Sequence, residues 1–329
     1  MRIGRRAVTT AWATGAGLMM LAAPRSLRAQ AEWPARPVRI VVPFAAGGSS
    51  DSVARGLAER LAANLGRPFV VENRPGLAGT IGVDHVAKSP ADGYSFVIIT
   101  SNQTINETLQ PRRPFVLLRD LTPVAAINRL WLVFAASNAL PVADFAGFLA
   151  HARAHPGRIN YASSGPGSIF HLAAEMLRQR AGLEMVHVPF RQYSEARTQL
   201  IAGEIQLMAD AVFTLEPLIR GGRMRGLATT GPARSRLLSE VPTVAESFPG
   251  FEIGLWNGLL APAGTPAEIV RRMNAEVNRV LAEPAFVEAN ARLDIELTPA
   301  PPEVFAAFLE QDIARMREAV RAAHVEPEG

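Results

Sequence analysis

The chain has 329 residues, 48% hydrophobic and 19% charged, which suits two domains of about 150 residues and excludes a disordered or low-complexity polymer. It contains no cysteine, which excludes disulfides, thiolate nucleophiles, cysteine metal sites and a lipid-anchored amino-terminal cysteine. The formal charge of +4 belongs to the start of the chain: residues 1–31 hold Arg2, Arg5, Arg6, Arg25 and Arg28 with no acid, and 34 bases less these five face 30 acids in the remainder. Nothing in that remainder clusters into a phosphate-tracking surface, so nucleic acid is not an expected partner.

Residues 1–31 read as an export signal peptide: a basic start, a mildly apolar stretch from Ala7 to Ala23, and an A-x-A cleavage pattern at Ala29-Gln30-Ala31. Cleavage is expected near Ala31, giving a soluble exported product. Arg5-Arg6 leans toward a twin-arginine signal, while Thr9, where that motif prefers an apolar residue, leaves the general secretory route open. Strand and helix patterns then alternate. Val38–Val42 is a β-rich run, Asp51–Leu65 repeats apolar residues at helical spacing, Phe69–Val71 is a strand, Ile81–Lys88 a helix, and Tyr94–Thr100 a strand. The alternation resumes with strands at Ile159–Ala162, Met185–Val188, Ile205–Ala209 and near Arg225–Thr229, separated by helices at Ser168–Ala181, Glu195–Ala202 and near Leu215–Arg220. Two apolar runs, Leu121–Ala136 and Phe251–Pro262, separate these blocks, and the carboxy-terminal stretch is helical at Ala267–Leu281, Ala285–Leu293 and Pro302–Ala323. Repeated βα units predict an α/β fold with mostly parallel sheets flanked by helices. A chain that closes with helices after a long excursion is expected to return to its first lobe. Lobe one is therefore placed at 36–129 plus 256–329 and lobe two at 130–255, with two crossing segments as a hinge beside a cleft.

Ligands of open parallel sheets bind at the carboxyl ends of strands, and there the sequence collects small polar residues. Pro43-Phe44-Ala45-Ala46-Gly47-Gly48-Ser49-Ser50-Asp51 leads into one helix, Ser163-Ser164-Gly165-Pro166-Gly167-Ser168 into another, and Thr100-Ser101-Asn102 follows a third strand. Glycines let backbone N–H groups approach a ligand, and helix starts carry partial positive charge, so two such starts could grip an anion between them. The same residues also serve as ordinary caps, and Asp51 reads first as a first-turn acid complementing the helix dipole. Other constellations are weaker. Gly165-Pro166-Gly167 with Glu184 imitates a dinucleotide fingerprint, but Phe170 occupies the third glycine position. Gly76, Gly79 and Gly82 suit a turn and close helix packing. His151 and His155 lack a third metal ligand. His171 and Asp210 could join a serine in a hydrolase triad, although His171 fits a structural or cleft-lining role better. Metal-protease, nucleophile-elbow and phosphate-loop motifs are absent from the sequence, so neither metal nor cofactor is expected and the chain is not expected to be an enzyme.

At these loops the sequence resembles the tripartite tricarboxylate transporter receptor family, the Bug-type periplasmic solute-binding proteins, from about Trp33 to Arg317. The resemblance rests on Val41-Val42-Pro43-Phe44 with Gly47–Asp51, Val70-Val71-Glu72-Asn73-Arg74-Pro75-Gly76 with Gly79-Thr80-Ile81-Gly82, Ala91-Asp92-Gly93-Tyr94, and Tyr161–Gly165 leading to His171-Leu172-Ala173. It extends through His187-Val188-Pro189-Phe190, Ala202-Gly203, Val241-Pro242-Thr243 and Gly258–Pro266. It implies a two-lobed periplasmic-binding-protein fold, type II-like, that closes on a small carboxylate and works with membrane permease subunits, expected as a monomer. Carried onto matching positions, the ligand-binding set is Phe44, Gly48, Ser49, Asp51, Thr100 and Ser101 from lobe one, with Ser163, Ser164, Gly167, Ser168, His171 and Asp210 from lobe two. Three departures leave the carboxylate open: Ala46 for a frequent proline, Gln103–Glu107 for a stretch usually containing His and Pro, and Arg191–Glu195 for a glycine-rich one. A ligand sensor for a membrane signalling partner, and less so a hydrolase in the same cleft, are the alternatives to a transport receptor.

Overall fold

The computed structural model describes residues 33–190 and 192–325; the export leader expected over 1–31 lies outside them. In chain order the elements are β1 (Val38–Val42), α1 (Ser49–Leu65), β2 (Phe69–Asn73), a 3-10 turn (Leu77–Gly79), α2 (Thr80–Ala87), β3 (Ser95–Thr100), α3 (Ser101–Leu109), α4 (Leu117–Asp120) and β4 (Leu121–Ala136). Then follow α5 (Phe145–Ala154), β5 (Ile159–Ser163), α6 (Ile169–Ala181), β6 (Met185–Pro189), α7 (Tyr193–Ala202), β7 (Leu207–Ala211), α8 (Val212–Arg220) and β8 (Arg225–Thr229). The chain closes with α9 (Val244–Ser247), β9 (Gly254–Pro262), α10 (Ala267–Leu281), α11 (Pro284–Ala291), β10 (Glu296–Leu297) and α12 (Pro302–Ala322). Among the described residues, no helix is long and apolar enough to cross a membrane.

The α/β expectation holds, and the sheet is mixed. Its strand order is β2-β1-β3-β9-β4-β7-β5-β6, with β8 and β10 also paired to β4. The βα units read from the sequence give parallel pairing at both ends, β1 with β2 and β3, and β5 with β6 and β7. The two apolar runs supply the middle, where β9 lies antiparallel to both β3 and β4, and β4 antiparallel to β7. β4 is the joint: Leu121–Trp131 pairs with β9, and Leu132–Ala136 lies against β7.

Each end has its own core. Val41, Val97, Ile99, Leu260, Phe305 and Leu309 pack together at the β1 end. At the β5 end Phe134, Phe148, Tyr161, Leu172, Leu177 and Phe251 form a larger cluster. α12 serves both. Its Phe305 and Leu309 belong to the first cluster, while Met316, Val320 and Ala323 at its other end belong to the second. A buried acid fixes its height: Asp312 accepts from Thr104 Oγ1 of α3 at 2.7 Å and from Trp256 Nε1 of β9 at 3.1 Å.

α12 reaches β9 because β9 has no side chain at Gly258, where a Cβ would lie closer than 3.0 Å to three atoms of the buried Phe305 ring. Overpacking of this kind costs about 1–3 kcal/mol. Gly258→Ala is therefore expected to lower the melting temperature, by about 2–4 °C for each kcal/mol in a chain of this size. A differential scanning calorimetry trace unchanged from wild type would contradict this packing.

Candidate functional site

The first glycine–serine loop is shaped by one acid. Asp51, buried in the first turn of α1, accepts the Gly47 N–H at 2.9 Å, Arg55 Nε at 3.0 Å and Asn73 Nδ2 at 2.9 Å. Asn73 Nδ2 also reaches the Phe44 carbonyl at 3.1 Å, closing the loop from the β2 side. The Arg55 guanidinium, then the Gly47 N–H and Asn73, hold the Asp51 carboxyl down at about 2. Gly47 takes φ +82°, a left-handed conformation that favours glycine. Gly48 does not need that freedom: it caps α1 at φ −78°, and a Cβ there would meet only the Ala45 carbonyl, at 3.5 Å. Asp51 thus folds the loop, and the exposed residues Gly48 and Ser49 are left at the helix start.

The second loop is held from behind by a stack of rings. His171 lies against His187 with centroids 4.0 Å apart, and His187 against Tyr161 at 5.1 Å. Tyr161 donates its hydroxyl to Glu175 at 2.6 Å, and Glu175 pairs with Arg178 at 2.7 Å. On the loop side, Gly167 N–H donates to His171 Nδ1 at 3.0 Å and Ser163 Oγ lies 2.6 Å from His187 Nε2. Ser163 Oγ also bonds both the N–H and the carbonyl of Gly165, and Ser168 caps α6 by accepting from the His171 N–H at 3.3 Å. Ser163 is fully buried, so it presents no hydroxyl to a substrate. The triad considered from the sequence does not form. His171 is tied to Gly167, and among the described residues no hydrogen bond joins Asp210 to either histidine. Of this loop's expected contacts, Ser164 is the one left exposed.

Burial first, and repulsion from His187 second, push the His171 imidazole down to about 4; burial lowers His187 as well. Asp210 moves the other way, raised to about 6 by burial, with the Ala211 N–H and Arg197 opposing. The third-strand residues act as framework. Thr100 caps α3 in a reciprocal capping box with Gln103, and Gln103 and Asn106 both donate to the Ala78 carbonyl at 3.2 Å. Ser101 Oγ is buried without a hydrogen-bond partner among the described residues.

Two cavities lie between the ends of the sheet. The larger, about 550 Å³, is bounded by Gly47, Ser49, Ser52 and Val53 of the α1 start, by Asn128, Leu130 and Asn257 of β4 and β9, and by Arg197, Phe213 and Thr214 of α7 and α8. Phe286, Asn290, Leu293 and Ile295 close its outer side. The smaller, about 310 Å³, separates Ala78, Asn102, Asn106, Leu109 and Gln110 from Ser164–Ser168. Of the twelve expected residues, Ser49 lines the first cavity and Ser164, Gly167 and Ser168 the second. Phe44, Gly48, Asp51, Thr100, Ser101, Ser163, His171 and Asp210 are in neither wall. Neither α1 nor α8 receives a side-chain cap at its start, and first-turn residues of both line the larger cavity.

Arg197 was not anticipated from the sequence. Its Nε is buried with no hydrogen-bond partner, and Asp210 Oδ2 stands 3.9 Å away, beyond hydrogen-bond reach. A buried donor left unpaired costs about 1–3 kcal/mol. The available signal was position: Arg197 follows the departing stretch 191–195 and adjoins Ala196 and Leu200 on the buried face of α7.

With this geometry in view, the profile described as tripartite tricarboxylate transporter family receptor matches residues 53–324. The chain belongs to this receptor family. A Pseudomonas relative, the UPF0065 protein in the tcbD-tcbE intergenic region, is 37% identical over 322 residues, covering 97% of this chain and 94% of the relative. Among solved structures, Rpa4515 of R. palustris with adipate is 34% identical with a TM-score of 0.80, over 90% of this chain and 100% of that one. The periplasmic binding protein BugD is 31% identical with a TM-score of 0.77, over 90% and 100% of the two chains. MatC of Rhodopseudomonas palustris with bound malate is 30% identical with a TM-score of 0.75, over 87% and 99%. The expected family and α/β binding-protein fold are both borne out.

The depressed His171 has a measurable consequence. Its ring takes a proton near pH 6.5 when unfolded but only near pH 4 in the fold, so the fold binds fewer protons in that window and loses stability as pH falls through it. Between pH 7 and 4.5 wild type is expected to lose about 2–3 kcal/mol more than His171→Asn, whose amide oxygen can still accept the Gly167 N–H. Urea unfolding of both proteins at the two pH values tests this, with Asp210 common to both. Parallel losses would show that His171 keeps its ordinary affinity for the proton.

Proposed function

We propose that the protein is an exported receptor that captures a small carboxylate and delivers it to the membrane permease subunits of a tripartite tricarboxylate transporter. The observation that carries this reading is the cavity of about 550 Å³, into which two helix starts without side-chain caps open from opposite ends of the sheet. Its volume suits a small organic acid. Each helix start favours an anion by about 0.3–1 kcal/mol, and up to ~2 kcal/mol where partly buried. The adipate and malate of the two R. palustris structures are both dicarboxylates, which supports the same ligand class here. BugD's description as periplasmic supports that location for this chain, reached by way of the leader and cleavage near Ala31.

In this reading Ser49 meets the ligand in the larger cavity, at the helix start that Gly48 caps, while Ser164 and Ser168 face the smaller cavity. Phe44, Asp51, Thr100, Ser101, Ser163, Gly167 and His171 hold the loops that present them, and Asp210 sets the charge beside α8. The lobes, 36–129 plus 256–329 and 130–255, hinge where β4 changes partner. Ligand contacts from both lobes favour the closed population. Small-angle scattering is expected to give a smaller radius of gyration with saturating dicarboxylate than without. Superimposable profiles would argue against closure.

The helix start is tested directly by Gly48→Asp. The backbone there tolerates a side chain and Asp is a favoured N-cap, so ligand-free melting is expected to hold or rise. Ligand at about 100 times its dissociation constant stabilises wild type by about 2.7 kcal/mol, a shift of roughly 5–10 °C at 2–4 °C per kcal/mol. In a thermal-shift screen of carboxylates, Gly48→Asp is expected to lose most of that shift while Gly48→Ala keeps it. A full shift in Gly48→Asp would remove the anion from this helix start.

A further inference from the structure

The larger cavity has a second positive feature, which the loop motifs do not supply. Arg197 enters it from α7, a third of its side chain exposed (34%) and its Nε buried and unbonded. An arginine in a structural ion pair closes its fork on the carboxylate at about 2.7–2.9 Å. Here the nearest acid oxygen, on Asp210, is 3.9 Å away, and the other Asp210 oxygen accepts the Ala211 N–H at 2.8 Å. The guanidinium thus stands beside an acid without a hydrogen bond to it. Across the cavity stands the start of α1, with Ser49 and Ser52, and the wall between is largely apolar, with Leu130, Phe213, Phe286 and Leu293.

We infer that Arg197 is a specificity-determining anchor, binding the second carboxylate of a dicarboxylate whose first carboxylate sits at the α1 start and whose apolar spacer lies against Leu130 and Phe213. The inference rests on the carboxylate reading above and narrows it to acids with two anionic ends. A planar guanidinium with several N–H donors matches a carboxylate in two bonds, a geometry that lysine cannot reproduce. A monocarboxylate would leave one end of the cavity unanswered, and a short hydroxy-acid would leave the apolar wall uncovered.

The test is calorimetric titration of the mature protein with succinate, adipate and suberate, each against the monocarboxylate of the same carbon count: butyrate, hexanoate and octanoate. Wild type is expected to bind at least one diacid about 100-fold more tightly than its matched monoacid. Arg197→Gln is expected to erase most of that preference by weakening the diacid, leaving the monoacid within about threefold. Arg197→Lys, which keeps the charge without the fork, is expected to fall between them, and it gives the answer if the glutamine variant does not fold. Diacid binding by both variants at wild-type strength overturns the anchor alone and leaves the carboxylate receptor standing. Wild-type binding of monoacids as tightly as diacids overturns the anchor in the same way. Failure of wild type to bind any of the six acids overturns the anchor and the carboxylate reading together.

Discussion

One strand carries the geometry of everything on either side of the cavity. β4 runs for 16 residues, about three times an ordinary strand, and its buried backbone N–H and C=O groups must be paired along the whole length. No single neighbour does this. β9 serves Leu121–Trp131, after which β7 and β8 take over along opposite edges. The irregularities fall where chemistry permits them. The register with β9 shifts between Pro123 and Ala125, where proline offers no N–H to the ladder, and again between Ala126 and Asn128. A strand bent and twisted in this way can belong to a β1-type arrangement at one end and a β5-type arrangement at the other. The start of α1 is then located through β1, β3 and β9, and α7 and α8 through β7, all against the same strand.

The cavity floor lies where β4 and β9 are coupled by side chains as well as backbone. Ser50 Oγ donates to Asn257 Oδ1 at 2.9 Å, and Asn257 Nδ2 donates to Asn128 Oδ1 at 2.8 Å. All three residues are buried, so each bond made avoids the roughly 1–3 kcal/mol that an unpaired polar group would cost. The chain of three also fixes α1 laterally, because Ser50 is in its first turn. Behind each glycine–serine loop stands a comparable device: Asp51 with Arg55 and Asn73 on one side, the Tyr161–His187–His171 stack with Glu175 on the other. Loops held this way lose little freedom when a ligand arrives, which is the main economy open to a binding protein.

What the sequence revealed follows from which forces are local. The alternation of Val38–Val42, the α1 stripe of Ala54, Leu57, Ala58 and Leu61, and the glycine–serine helix starts are written in neighbouring residues, and they map onto the observed elements closely. α3 is the opposite case. Ser101, Gln103, Thr104 and Asn106 are polar yet buried, because α12 returns more than two hundred positions later with Asp312 to meet Thr104. No window of the sequence contains that partner. The central antiparallel pairing was equally invisible, since Leu121–Ala136 shows only as an apolar run and nothing local says that it will be shared among four strands. Arg197 was missed for the same reason. An arginine on a mostly polar helix reads as a solvated side chain until the fold shows that its Nε is buried beside a cavity. Asp51 was legible as a helix-dipole acid, but its saturation by Gly47, Arg55 and Asn73 required the β2 side of the loop to be in place.

The two buried acids near the cavity make a final electrostatic point. A carboxylate-binding site cannot tolerate free negative charge within a few ångströms, because like charges close together in a poorly solvated region oppose each other by several kcal/mol. The molecule resolves this in two different ways. Asp51 stays ionised, held down at about 2, and its charge is answered locally by Arg55 and by N–H donors pointing at it from its own loop. Asp210 is raised to about 6 by burial, so its charge is weakly held and faces Arg197 across a gap too wide for a hydrogen bond. An anion bound at Arg197, as proposed, would raise Asp210 further and favour its neutral form. The fold thus holds Asp51 ionised by fixed partners and leaves Asp210, raised by burial, closer to its neutral form.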